Sequence, residues 1–271
     1  LVELLNYVKK KGCIVTIVTN GVALEKNAEE IVKNKWDMVL VSFDGPKEVH
    51  DKCRNFKGAY DTAVKSLLKL KEMKEKYKSV KPFIFTYTTI SQVNAPFLEE
   101  TFKIGEIIKP DLFIISPSWF TSEEIGKAQT KLYQEELGIT PFTWKSYVNK
   151  FSEEDAKLFE EKILQVKKKK WSFNYIFIPD LKKEAFREYY LHPENFFGYC
   201  KCVAPFLMVD IMPNGDVVTC RDYIDVKVGN ITEKPLLEIW NGPEFVKFRK
   251  LLIDKGGTFP ICSRCCGLMG F

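Results

Sequence analysis

The chain has 271 residues, of which 45% are hydrophobic and 28% charged, a balance typical of a globular protein with one large core or two smaller ones. Its 41 basic and 36 acidic residues give a net charge of only +5, spread along the sequence, which argues against a nucleic-acid-binding protein. No apolar stretch approaches the ~20 residues that span a bilayer and no signal peptide is present, so we expect a soluble, cytoplasmic protein without a membrane partner.

The first residues, Leu1–Lys11, have the apolar spacing of an amphipathic helix that is entered partway through its pattern. We therefore expect a further segment of the protein to precede Leu1.

Short apolar runs alternate with helical patterns through the first 120 residues. Such alternation is typical of parallel βαβ units, and strands that are apolar throughout indicate a sheet covered by helices. A doubly wound sheet and part of a β/α barrel both fit this α/β pattern. The predicted strands are Ile14–Val18, Asp37–Phe43, Pro82–Ile90 and Asp111–Ser116, and the predicted helices are Leu24–Lys35, Tyr60–Tyr77 and Phe97–Ile108.

The remainder of the chain divides into two further regions. Residues 121–195 form a helical, aromatic-rich connecting region, with a helix at Ser152–Lys169 and a strand at Trp171–Ile178. Residues 196–271 contain two apolar runs, Pro205–Ile211 and Asp216–Cys220, on either side of an Asn-Gly turn that predicts a β-hairpin. An extended stretch at Val228–Thr232 and a helix at Leu236–Leu252 follow.

Six of the eight cysteines lie in this C-terminal region. In a chain without a secretory signal, such clustering favours metal ligation over disulfides. Cys262 and Cys265 form a C-x-x-C pair, and the predicted hairpin returns Cys202 and Cys220 to one place. Together the two pairs supply the four thiolates that a [4Fe–4S] cluster takes.

Zinc is the alternative metal for these cysteines. Zinc ribbons commonly use two C-x-x-C knuckles, whereas this chain has one, so the pattern favours iron–sulfur. Cys200 and Cys266 are possible alternate ligands, or small residues packed beside the site. Cys13 and Cys53 lack a nearby partner and are interpreted as non-ligands.

Four short motifs occur in the first 60 residues: Thr19-Asn20-Gly21 after a strand, Val41–Gly45 (VSFDG), His50-Asp51 with Arg54, and Gly58-Ala59-Tyr60. They resemble the middle strands of the barrel in the radical S-adenosylmethionine (radical SAM) family. The C-terminal region is similar to the auxiliary SPASM/twitch domain. Its marks are Cys202, Gly215, Cys220, then VGNI, LLEIWN, Phe248-Arg249 and the C-x-x-C.

This resemblance implies a partial (β/α)6 radical SAM barrel, containing strands three to six, followed by a small α+β auxiliary domain with a β-hairpin. It implies that the strand ends face S-adenosylmethionine. Ser42 and Arg54 match positions that contact the methionyl end of this cofactor, and Thr19, Asn20 and Asp44 would lie near it. Asp44 fits at least as well as a turn residue before Gly45-Pro46. His50 is interpreted as a packed loop histidine rather than an acid–base group.

Two departures from the family pattern matter. The C-x-x-x-C-x-x-C loop that holds the S-adenosylmethionine-cleaving cluster is absent, so we expect that motif, and a second [4Fe–4S] cluster, in the segment before Leu1. The chain alone would then be inactive. The further cysteines of a full SPASM domain are also missing, so a single-cluster, twitch-like arrangement matches better.

The family chemistry implies an oxidoreductase or maturase that makes a deoxyadenosyl radical, which abstracts hydrogen from a peptide or small-molecule substrate. An electron donor such as ferredoxin or flavodoxin would be a partner. The alternatives are a zinc-stabilised, non-catalytic binding module on a degenerate barrel and a purely structural fragment.

Arg221 and Asp222 directly follow Cys220, where related domains face the substrate. Because side chains alternate along a strand, we expect at most one of the two to face the cavity. Asp222 there would be a general base, and Arg221 would clamp an anionic substrate group. A surface ion pair without a catalytic part is the alternative.

Overall fold

The computed structural model describes residues 1–270, except for the side chains of Cys266 and Gly270. The chain forms two compact units. The N-terminal unit contains Leu1–Ser118 and Glu154–Phe186, and the C-terminal unit contains Trp119–Glu153 and the chain from Arg187 onward. The region 121–195, expected to connect two domains, therefore supplies residues to both units.

A five-stranded parallel sheet forms the centre of the N-terminal unit, in the order β1-β2-β3-β4-β5. The first four strands coincide with the four apolar runs of the first 120 residues, and β5 lies within the predicted strand Trp171–Ile178. The predicted α/β fold with a parallel sheet is confirmed. The strands are β1 (Thr16–Thr19), β2 (Met38–Ser42), β3 (Phe83–Ile90), β4 (Leu112–Pro117) and β5 (Tyr175–Phe177).

The helices of the described residues are distributed over both units. None of them is long and apolar enough to cross a lipid bilayer. They are α1 (Val2–Lys10), α2 (Leu24–Lys33), α3 (Lys47–Arg54), α4 (Ala59–Lys76), α5 (Leu98–Ile108), α6 (Glu123–Leu137), α7 (Glu153–Lys167), α8 (Ala185–Leu191), α9 (Ala204–Leu207), α10 (Leu236–Trp240), α11 (Pro243–Asp254) and α12 (Cys266–Gly270).

Helices α2 and α4 pack with β2 to make one hydrophobic core. Ile31 of α2 and Leu67 and Leu70 of α4 share this core with Val39 and Val41 of β2, and each is at most 1% exposed. Burying each such side chain contributes roughly 1.5–3 kcal/mol. The three-to-four-residue spacing of these positions is the pattern that predicted both helices.

Because the five strands are parallel, their carboxyl ends lie along one edge of the sheet, which we call the carboxyl edge. Thr19 ends β1 and Ser42 ends β2. Ser42 is opposite Tyr87 of β3, and Thr89 of β3 is opposite Ser116 of β4. The fold thus brings polar residues from four strands to the edge where open α/β sheets bind ligands.

A three-stranded antiparallel sheet of β6 (Asp210–Ile211), β7 (Asp216–Val218) and β8 (Lys227–Asn230) lies in the C-terminal unit. The β6–β7 hairpin is confirmed, but its turn places Pro213 and Asn214 in the central positions, since Gly215 N donates to Met212 O at 2.8 Å. Gly215 follows with φ +87°, and a Cβ there would lie 2.8 Å from Asn230 Oδ1. Glycine is therefore required at this position.

Two elements of this unit differ from the sequence prediction. The expected strand from Pro205 begins as the short helix α9, because Pro205 suits a first helical turn. The expected helix Leu236–Leu252 is two helices, separated at Asn241-Gly242, because Pro243 cannot continue α10 but can start α11.

Candidate metal centre

The core of the C-terminal unit lies beside cysteines that are predicted to bind metal. Val217 of β7, Val228 of β8 and Phe245 and Phe248 of α11 are among its buried members. Three cysteines, Cys202, Cys220 and Cys262, pack against this core and are partly buried. The hairpin, α11 and the C-x-x-C segment therefore contribute to one core.

Cys202 is held by a backbone contact with the loop after α11. Its N–H donates to Gly257 O at 2.8 Å. Gly257 has φ +97°, and a Cβ at this position would lie 2.6 Å from Cys200 O. The close approach of these two backbone segments thus depends on glycine.

Cys220 lies just beyond β7. Burial raises the pKa of its thiol to about 11, although the backbone N–H groups of Tyr223 and Asp222 hydrogen-bond its sulfur and act in the opposite direction. N–H donors of this kind stabilise a thiolate, and hydrogen bonds to sulfur are a feature of iron–sulfur sites.

The C-x-x-C pair forms a tight turn. Cys262 lies in a 3₁₀ helix, Pro260–Arg264, and Cys265 N donates to Cys262 O at 3.0 Å. Burial raises the pKa of the Cys262 thiol, and repulsion from thiolates at Cys220, Cys265 and Cys202 raises it further. The four predicted ligands are thus close enough for their charges to interact.

These four thiols match the donor set that a [4Fe–4S] cluster takes. Four partly buried thiolates would repel one another, and a cationic group bound between them would neutralise that repulsion. A zinc ion with Zn–S bonds of about 2.3 Å would draw its sulfurs to within about 4 Å of one another. A four-iron cluster spreads its ligands more widely, because each thiolate binds a different iron.

The other cysteines differ from these four. Cys200 is exposed, and the side chain of Cys266, the second possible alternate, lies outside the described residues. Cys13 is exposed and Cys53 half-buried, both in the N-terminal unit. Burial raises the pKa of the Cys53 thiol.

Arg264, which the sequence reasoning missed, is buried inside the C-x-x-C pair. It is 1% exposed, and its guanidinium donates to four backbone carbonyl oxygens. Burial lowers the pKa of this group to about 10. The signal available in the sequence was a charged residue between the two cysteines of the C-x-x-C. That signal does not predict burial, because the burial of Arg264 depends on contacts with residues about seventy positions earlier in the chain.

Tyr223 is a second residue that the sequence reasoning missed. Its ring packs against Trp119 and Tyr147 with centroid distances of 5.5 and 5.4 Å. Burial raises the pKa of the Tyr223 hydroxyl, with thiolates at Cys262 and Cys220 adding to the effect. The aromatic residues of this region thus border the cysteines, as well as packing the core.

Arg221 and Asp222 lie in a bend after β7, not in a strand. The expected alternation to opposite sides therefore does not apply, and Arg221 Nε is 3.8 Å from Asp222 Oδ2. Arg221 is mostly exposed and Asp222 less so. Burial raises the pKa of Asp222 to about 6, partly opposed by Arg221.

In the N-terminal unit, the residues expected to face S-adenosylmethionine lie at or next to the carboxyl edge. Thr19 Oγ1 accepts a hydrogen bond from Gly21 N, and Asn20 Oδ1 accepts one from Val22 N, both at 3.1 Å. Both side chains thus shape the turn after β1. Ser42, at the end of β2, is half-buried.

Asp44 is engaged with Arg54. Its Oδ2 lies 2.5 Å from Arg54 Nη2, and Asp44 is only 4% exposed. Burial raises the pKa of Asp44, and the charge of Arg54 opposes that shift. Asp44 is therefore more than a turn residue, because its carboxylate orients the guanidinium at the carboxyl edge.

His50 lies in helix α3, which the sequence did not predict, and is fully buried. Its Nδ1 accepts a hydrogen bond from Asp44 N at 3.0 Å, and its ring stacks on Phe43. Burial, followed by the charge of Arg54, lowers the pKa of His50 to about 4. His50 is thus a neutral packing residue that supports Asp44.

Comparison with known proteins agrees with this geometry. Residues 200–266 match the family model of SPASM, an iron–sulfur cluster-binding domain, and this segment contains all four predicted ligands. Over 68 residues, 25% of this chain and 17% of the relative, the chain is 38% identical to Fe-coproporphyrin III synthase of Methanosarcina barkeri.

The whole fold is similar to that of larger solved proteins. SuiB of Streptococcus suis, bound to its precursor peptide SuiA, matches with a TM-score of 0.59 and 16% identity over 92% of this chain and 52% of SuiB. The protein anSMEcpe with bound AdoMet matches with a TM-score of 0.51 and 17% identity over 87% of this chain and 58% of that protein. The chain thus spans about half the length of these proteins. The predicted α/β fold, a parallel sheet followed by a small antiparallel sheet, is thus shared with these proteins.

Proposed function

We propose that this chain is part of a radical SAM enzyme that modifies a peptide, and that its SPASM domain holds one auxiliary [4Fe–4S] cluster. The observation that carries the proposal is the group of four partly buried, mutually repelling thiols within the segment that matches SPASM. A peptide substrate is supported by SuiB, which shares the fold and binds a precursor peptide. Because the chain spans only about half of such proteins, the activity proposed is that of the whole enzyme.

The proposed cluster ligands are Cys202, Cys220, Cys262 and Cys265. A cluster bound there would supply a site that accepts or passes one electron. The chain itself contributes burial, which excludes water, and backbone N–H donors that fix the ligand sulfur of Cys220. Asp222, beside this ligand, remains our candidate for the base that accepts a substrate proton, with Arg221 as the candidate for binding an anionic group.

The residues proposed to bind S-adenosylmethionine share the carboxyl edge of the parallel sheet. They are Thr19, Asn20, Ser42, Asp44 and Arg54. In this arrangement Asp44 holds Arg54 in place, and Arg54 retains donors for the carboxylate of the cofactor's methionyl group. The radical chemistry belongs to the cofactors, and these residues would orient the methionyl end. A low-potential donor such as ferredoxin or flavodoxin is the proposed electron source.

Anaerobic purification followed by metal and sulfide analysis tests the cluster. We expect about four iron and four sulfide per SPASM site, from the [4Fe–4S] assignment. Single alanine substitutions of the four ligands should each remove most of that iron and destabilise the C-terminal unit, since cluster binding and folding are coupled.

Two matched controls are available in the other unit. Cys13→Ala and Cys53→Ala should leave the iron content of the SPASM site unchanged. Full retention of this iron in Cys265→Ala would refute the ligand assignment. Tightly held zinc without sulfide would instead support a zinc-stabilised binding module.

A further inference from the structure

Arg264 carries a buried positive charge that no carboxylate neutralises at contact distance. Among the described residues, no Asp or Glu oxygen lies within 4 Å of its guanidinium. Glu194 and Glu188 act on it only from farther away, and Glu188 is occupied by Asn195, whose Nδ2 donates to it at 2.8 Å. An arginine side chain stays protonated in proteins, so this charge is permanent.

Backbone carbonyls solvate the guanidinium without cancelling its charge. Nε donates to Tyr189 O at 2.9 Å, Nη2 to His192 O at 2.6 Å, and Nη1 to Asn195 O at 2.6 Å. Tyr189 lies in the last turn of α8, where helix carbonyls lack helical partners and carry partial negative charge. These dipoles explain how the cation can be buried without a counter-ion.

The same guanidinium lies against the C-x-x-C segment. Nη1 also donates to Ser263 O at 2.8 Å, and Ser263 is between the two ligands Cys262 and Cys265. The positive charge is therefore within hydrogen-bond distance of the backbone that carries half of the proposed ligand set. Burial weakens solvent screening there, so a charge acts more strongly than it would at the surface.

We propose that Arg264 sets the reduction potential of the auxiliary cluster by stabilising its more negative, reduced state. This inference rests on the proposed function, because it requires a redox-active cluster at the four thiols. Reduction adds one electron to a cluster that four thiolates already make negative, and a fixed cation favours that step. Charge and hydrogen bonding near the cluster are the recognised means by which a protein adjusts such potentials.

The test is a potentiometric titration of the anaerobically purified, cluster-containing protein, with dithionite as reductant and EPR detection. Arg264→Gln should lower the midpoint potential, whereas Arg264→Lys, which keeps the charge but fewer hydrogen bonds, should remain closer to wild type. Lys201→Gln is the control for an exposed charge next to a ligand, since Lys201 is exposed and directly precedes Cys202. Solvent screening should leave its effect on the potential small.

A second pair of variants keeps Arg264 and its hydrogen bonds. The half-buried ring of Phe197 lies 5.4 Å from Arg264 Cζ, so Phe197→Glu places a carboxylate beside the guanidinium, and Phe197→Gln is its neutral match. We expect a lower potential in Phe197→Glu than in Phe197→Gln. If Arg264→Gln does not assemble a cluster, the Phe197 pair still tests whether the charge of Arg264 affects the reduction potential.

Equal potentials in the Phe197 pair would overturn the inference. Equal shifts in Arg264→Lys and Arg264→Gln would also overturn it, because they would show that Arg264 acts by anchoring the loop alone. Absence of iron and sulfide from the wild-type protein would refute the proposed function, and this inference with it. The two failures can be told apart, because the metal analysis tests for the cluster before any potential is measured.

Discussion

Gly257 is the position at which a single methyl group should disturb the metal centre without touching a ligand. With φ +97°, alanine there costs about 1–2 kcal/mol in backbone strain. Its Cβ would also lie 2.6 Å from Cys200 O and 3.3 Å from Lys201 Cα, so one of two backbone segments must shift. Overpacking of this kind adds about 1–3 kcal/mol. We therefore expect Gly257→Ala to lower the free energy of unfolding by about 2–5 kcal/mol.

The neighbouring glycine is a matched control. Gly256 also has a positive φ, +84°, but a Cβ there would meet nothing within 4 Å. Gly256→Ala should therefore cost only the strain, about 1–2 kcal/mol. The difference between the two variants measures the clash alone, since both carry the same substitution in similar backbone conformations.

The displacement should also reach the proposed ligand Cys202. Its N–H donates to Gly257 O, so a shift of either segment moves the thiol away from its partners. We expect Gly257→Ala to lose iron and sulfide while Gly256→Ala retains both. Anaerobic metal analysis and urea unfolding followed by circular dichroism measure the two effects. Equal iron content and equal stability in the two variants would refute this reasoning.

Three further predictions concern pH, catalysis and metal removal. The pKa of His50 is about 4 in the folded protein, against an ordinary value of 6.5. Between these two pH values the histidine is protonated in the unfolded chain but neutral in the folded one. The free energy of unfolding should therefore fall by roughly 3 kcal/mol as the pH drops through this window. His50→Gln should weaken this pH dependence, measured as the urea midpoint at each pH. Asp44, whose pKa is raised, contributes a pH dependence of opposite sign in both proteins. An unchanged dependence of the midpoint on pH would argue against a buried neutral histidine. In the whole enzyme, Asp222→Asn should keep the clusters but reduce product formation about 10²–10⁴-fold, measured by mass spectrometry, and an unchanged yield would end the base hypothesis. Chelation of iron should lower the unfolding temperature of the C-terminal unit, because metal binding stabilises folding, and an unaltered temperature would indicate that the unit folds independently of metal.

Local patterns in the sequence were sufficient for most of the elements, and the predicted ligand set rests on cysteine spacing. The four strands and the helices other than α3 in the first 120 residues follow from hydrophobic spacing, which depends only on neighbours a few positions apart. The hairpin follows from its turn residues, and the cysteine spacing indicates a metal site. The fifth strand, at Tyr175–Phe177, was also visible as an apolar run, although only the sheet pairing shows that it joins the other four.

Contacts distant in sequence were decided by the tertiary structure alone. Arg264 bonds to carbonyls as many as 75 positions earlier in the chain, so neither its burial nor its lack of a contacting carboxylate can be read from the local C-x-x-C pattern. The bend at Arg221 and Asp222 brings together two side chains that strand alternation would separate. The requirement for Gly257 likewise arises from Cys200, which is brought against it by folding. In each case the stabilising contacts are burial and close packing between segments that are remote in the chain. Local propensity depends only on neighbouring residues, so it does not indicate which segments will meet.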